Sequence, residues 1–158
     1  MLPGVPPPDL MKINFDGGIF DEVNKSGIGV VICNHYGLLI MSVYLWFPQA
    51  YKPVEIVALV ATQALQFGLE IGIDRAIVEG DSVVVMKALA NKSRNMTSYG
   101  VLIQDAKVFS GFYSKLLYSH TKREGNKIVH SLIRLVVNIV LCGWRMFHHK
   151  FASFFKLI

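Results

Sequence analysis

The chain of 158 residues has only two cysteines, Cys33 and Cys142, and they form no spaced cluster. That scarcity excludes a disulfide framework and a cysteine-ligated zinc site, and it fits two reduced thiols in an intracellular protein, nuclear or cytoplasmic. Charged residues are also few, at 17%, while 53% are apolar, which excludes a disordered polyelectrolyte and leaves a single domain with a real core. The opening "MLPGVPPPDLMK" lacks a basic head followed by an apolar run, so it is no secretory signal. Residues 1–9 read as an extended Pro-rich lead-in. There is no internal repeat and no low-complexity block. Residues 128–144 are apolar, but His130, Arg134 and Asn138 interrupt them, and no run approaches the roughly 20 residues of a membrane span.

Acidic residues nearly vanish from the second half. Residues 1–106 hold 7 Lys and Arg against 10 Asp and Glu, whereas residues 107–158 hold 9 against 1, Glu124, with four of the five histidines. A basic half of this kind suits a polyanion, most commonly nucleic acid, unless it is a solvated surface with no partner.

The hydrophobic pattern supplies the order of elements. In "KINFDGGIF" Ile13 and Phe15 share one face and Lys12, Asn14 and Asp16 the other, the mark of a strand ending at Asp16 beside two glycines. "NKSG" reads as a turn, "IGVVIC" as a buried strand, "NHYG" as a second turn and "LLIMSVYLWF" as a third strand, together an antiparallel meander. Pro53 suits the first turn of a helix that runs to Ile71 and stops at Gly72. "RAIVEG" is a short buried strand, and Asp81 or Ser82 caps the helix "VVVMKALA". Residues 97–109 form a further helix, "FYSKLLYSH" a strand, and "REGNKIVHSLIRLVV" a last amphipathic helix with Ile128, Leu132, Leu135 and Val136 on one stripe. The order β-β-β-α-β-α-α-β-α specifies a five-stranded mixed sheet flanked by helices in an α/β domain.

Asp16 and Asp81 both fall at strand ends, where open α/β sheets place their ligands. Taken singly each is an ordinary turn or cap residue. Taken together, two converging carboxylates repel unless a hard cation separates them, and oxygen donors select magnesium or manganese.

"INFDGG", the helix at 53–71, "VEGDS" and "HTKREGNKIVHSL" resemble, in sequence and order, the ribonuclease H family, and most of all its plant reverse-transcriptase-associated, retroelement branch. The resemblance covers residues 10–138. It implies a nucleic-acid-binding domain related to endoribonucleases that cleave the RNA strand of RNA–DNA hybrids with two divalent ions, Mg2+ or Mn2+. Asp16 then matches the first acidic position, Asp81 the third, and His130 the fourth, where plant relatives often carry histidine. Counting back from Ala64 and Leu65 puts the second acid at Val57, with Glu55 as a flanking carboxylate. At 100° per residue the two positions lie about 200° apart on the helix, so only one of them faces the site. Either Glu55 serves or the carboxylate is missing and the domain binds RNA or hybrid without cutting it. Lys115, Lys122, Arg123, Asn126 and Lys127 are the expected nucleic-acid contacts, on a monomer with no membrane span. Residues 139–158, "IVLCGWRMFHHKFASFFKLI", resemble nothing in the family; they read as unselected sequence, a surface that stacks on bases, or a membrane-associated basic segment.

Overall fold

A computed structural model describes residues 5–93, 97–131 and 133–134. Its elements are β1 (Met11–Phe20), β2 (Lys25–Cys33), β3 (Leu39–Phe47), α1 (Pro53–Glu70), β4 (Arg75–Gly80), α2 (Val83–Ala90), α3 (Gly100–Ser110) and β5 (Lys115–His120). A short 3-10 turn at Arg123–Asn126 leads into a last helix, α4, over residues 127–131 and 133–134. The strands form one mixed sheet in the order β3-β2-β1-β4-β5. β1 to β3 are the antiparallel meander, and β4 and β5 run parallel to β1. The five-stranded mixed sheet with flanking helices is therefore the architecture that the sequence pattern specifies.

The alternation in β1 divides the two faces. Ile13 and Phe15 are fully buried and join Ile56, Val60, Leu65 of α1 and Ile103 of α3 in the main core. The opposite face packs on α4, where Val129 and Ile133 meet Val31. Close helix approach here needs missing side chains: a Cβ on Gly29 would stand 2.9 Å from Ile133 and 3.0 Å from Val129.

Several local expectations give way. β1 does not end at Asp16 but runs to Phe20, because Asp16, Gly17, Gly18 and Ile19 pair in turn with Gly29, Ile28, Gly27 and Ser26. The reversal lies at Asp21–Asn24, with Asn24 left-handed at φ 50°, so Lys25, Ser26 and Gly27 belong to β2 rather than to a turn. α3 starts at Gly100, not at 97. Ser82, not Asp81, caps α2, its hydroxyl accepting from the Val85 N–H at 3.4 Å. Ahead of β1, the Leu10 N–H bonds to the Pro7 carbonyl, and Asp9 pairs with Arg75 at 2.7 Å.

The last helix keeps its helical spacing but is rotated by one residue. Ile128 is 68% exposed, and Val129 and Ile133 face inward instead. The other members of the expected stripe, Leu132, Leu135 and Val136, and the segment 139–158 lie outside the described residues. Among the described residues no helix is long and apolar enough to cross a membrane.

Candidate active site

The sheet itself places the two aspartates. β1 and β4 run parallel with Met11 beside Ala76 and Asn14 beside Glu79, and carrying that register two residues further sets Asp16 abreast of Asp81. The chain leaves β1 towards β2 on one side, and β4 adds on the other, so this opening is the switch point of the sheet. Asp16 is on the α4 face and almost fully buried. One of its carboxylate oxygens accepts from the Gly17 N–H at 2.8 Å, and the other lies 3.1 Å from His130 Nδ1. Burial, and next the charge of Asp81, push the Asp16 carboxyl above the usual carboxylate range, while His130 and the Gly17 N–H pull the other way. The structure thus sets His130 in contact with Asp16 and Asp81 close enough for its charge to act on that carboxyl.

The position of α1 separates Val57 from Glu55. Val57 is 9% exposed and packs into the main core among Ile56, Val60 and their neighbours. Glu55 sits at the third position of α1, where its carboxylate accepts from the Lys52 N–H at 3.3 Å in the manner of a capping box. Among the described residues no three His, Cys, Asp or Glu side chains come together as a metal-holding group. Asp16 and Asp81 offer oxygen donors of the kind a hard cation takes.

Beside the aspartates runs a polar ladder. On the α4 face of β1, Lys12 pairs with Glu79 at 2.9 Å, and Asn14 donates to Glu79 at 3.0 Å and to Asn126 Oδ1 at 3.3 Å. Asn126 in turn donates to the Phe15 carbonyl at 3.0 Å. Asn126 is 1% exposed, so it is a strut between the loop and β1 and not a surface contact for a phosphate. Its role went unread because an Asn next to three basic residues looks like a surface residue; the polar face Lys12, Asn14, Asp16 was the available signal. His120 is likewise placed by the fold alone, with Nε2 3.2 Å from the Asp81 carbonyl.

The basic residues divide. Lys122, Arg123 and Lys127 are exposed on the loop and first turn that follow β5, at the end of the sheet where Asp81 lies. Lys115 is exposed at the opposite end of β5, beside Arg75 and about 17 Å away at the rise of a strand.

A five-stranded sheet in this order, with an acidic pair at its switch point and α4 closing one face, defines a ribonuclease H-like domain. Residues 14–136 match the model of the reverse transcriptase-like family, and the chain belongs to that family within the ribonuclease H fold. Solved structures agree in fold. The RNase H1 of the halophilic archaeon Halobacterium salinarum superposes with a TM-score of 0.74 at 16% identity, covering 81% of this chain and 97% of that one. The N-terminal RNase H domain of a Mycobacterium tuberculosis protein, solved as a fusion with maltose-binding protein, gives 0.74 at 16% identity, with 84% and 96% covered. LC11-RNase H1, in complex with an RNA/DNA hybrid, gives 0.69 at 20% identity, with 83% and 99% covered. No curated protein matches the chain.

Proposed function

We propose that this domain binds RNA–DNA hybrid or RNA and that its hydrolytic centre is incomplete. The observation that carries the reading is the pairing of Asp16 with Asp81 at the switch point, while Val57, at the second acidic position, is buried in apolar core. A divalent ion, when bound, would neutralise the two carboxylates and polarise a phosphate oxygen. With Val57 at the second acidic position, such an ion would have one carboxylate fewer to neutralise and orient it. His130 bonds to Asp16 and keeps that carboxylate oriented.

Binding is assigned to Lys122, Arg123 and Lys127, whose exposed side chains offer charge to successive phosphates beside the aspartates. Lys115 would meet the backbone roughly five nucleotides further along, at about 3.4 Å per nucleotide. Support from relatives is the structure of LC11-RNase H1 with an RNA/DNA hybrid, on the same fold. Fluorescence anisotropy with a labelled hybrid across a salt series tests the assignment. Affinity should fall steeply with salt, and Arg123→Ala should weaken binding while reducing the log–log slope by about one. A flat salt response would remove the basic loop as the binding face.

A further inference from the structure

One flank of α2 and the last strand leave an open groove between them. Val83, Met86, Lys87 and Ala90 recur at helical spacing and line one side. Tyr118 and His120 alternate along β5 and line the other, enclosing about 290 Å³. β5 is the edge of the sheet, so among the described residues no strand lies beyond it to close the groove. The floor is apolar and held down: Met86 is buried, and a Cβ on Gly80 would stand 3.1 Å from its sulfur. The rim is basic. Lys87 and His120 are both exposed, none of the lining side chains is acidic, and α2 carries no acid along its length. His120 is fixed at the end nearest the aspartates, its Nε2 donating to the Asp81 carbonyl at 3.2 Å. It precedes Lys122 by two residues, so the groove opens directly from the basic loop.

We propose that this groove takes one unpaired nucleotide of the bound RNA, its base against Val83, Met86 and Tyr118 and its phosphate between His120 and Lys87. The proposal rests on the binding of hybrid or RNA through the basic loop, and RNA is the strand common to both. Charge complementarity and continuity with that loop select the occupant: a phosphate backbone leaving Lys122 and Arg123 meets His120 and then Lys87, with no carboxylate in the lining to repel it. Bases inside a duplex are paired and stacked and do not enter a side groove. An unpaired base splays out and offers its π-face to aromatic and apolar side chains. Size agrees, since the groove falls just below the roughly 300–1,000 Å³ of small-molecule sites and holds one base rather than a run of them.

Fluorescence anisotropy on the full chain, with a labelled blunt hybrid and the same hybrid carrying a short RNA overhang, tests the groove. The overhang should tighten binding about fivefold, the lower end of what one stacked base contributes. An abasic overhang should lose that gain, because it keeps the phosphates and lacks the base. Ala90→Leu fills the groove from an exposed position, and Lys87→Glu, also exposed, reverses the rim charge; each should bring the ratio of overhang to blunt affinity close to one. Arg123→Ala should weaken both hybrids alike and keep the ratio, which separates the groove from the loop. A ratio near one in the unaltered chain, or a gain that persists with the abasic overhang or in Ala90→Leu, overturns the groove and leaves hybrid binding standing. If the blunt hybrid does not bind at all, binding of hybrid through the loop fails instead, and a single-stranded RNA oligonucleotide decides the groove: binding that Ala90→Leu abolishes upholds it, and no binding overturns it.

Discussion

Replacing Asn126 by alanine removes the strut between the basic loop and β1, and the structure sets the size of the effect. The side chain is buried, its amide donating to the Phe15 carbonyl and its oxygen accepting from Asn14. In Asn126→Ala both partners are left in the interior without that bond, at about 1–3 kcal/mol for each group stranded. A total near 3 kcal/mol follows, because Asn14 keeps its second bond to Glu79. For a domain of this length 1 kcal/mol moves Tm by about 2–4 °C, so a drop of roughly 6–12 °C is expected by differential scanning calorimetry. Asn126→Asp should be at least as damaging near neutral pH, since a carboxylate cannot donate to a carbonyl. It should recover partly in acid, where the protonated form donates again. That carboxyl would have its pKa raised in the folded state, so its contribution is present at low pH and lost as pH rises. A Tm within about 2 °C of the parent for Asn126→Ala would refute the strut and return Asn126 to the surface set.

The Asp16 carboxyl is held above its ordinary value, so ionising it costs more in the folded chain than in the unfolded one. Stability from this group is therefore greatest below the unfolded pKa and is lost as pH rises through the folded one. In metal-free buffer the Tm of Asp16→Asn should gain on that of the parent as pH climbs from about 4, and a gap that narrows instead would reverse the sign of the argument. Val57→Glu should cost about 2–4 kcal/mol without metal, from lost apolar burial and a third clustered carboxylate. Magnesium should return much of it, about 2.7 kcal/mol at a hundredfold excess over Kd, and a Tm indifferent to magnesium would show that position 57 does not face the aspartates.

Much of the fold is legible because period decides it. The alternation of Ile13 and Phe15 against Lys12, Asn14 and Asp16, and the run from Pro53 to Gly72, state their elements without tertiary help. The errors gather where packing overrides local chemistry. "DGG" reads as a turn, yet those glycines are strand residues, their bare backbones making room for Ile56 on one face and Ile133 on the other. The last helix has the right period and the wrong phase, since spacing alone does not say which of Ile128 and Val129 meets β2. The convergence of Asp16, Asp81 and His130 rests on parallel pairing between strands far apart in sequence, which motif order implies and composition does not. The Lys12–Glu79–Asn14–Asn126 ladder was least legible of all, because a buried polar network looks like surface until the faces of the sheet are covered.

The central claim is that a hybrid-binding fold carries an incomplete hydrolytic centre, and a gel assay on a labelled RNA–DNA hybrid meets it most directly. The unaltered chain, supplied with magnesium or manganese and compared with Asp16→Asn, should bind the hybrid and leave the RNA strand uncut, and Val57→Glu should restore measurable cleavage that survives Glu55→Ala. Robust cleavage by the unaltered chain, abolished by Asp16→Asn and by Glu55→Ala, would contradict the account and make Glu55 the missing ligand.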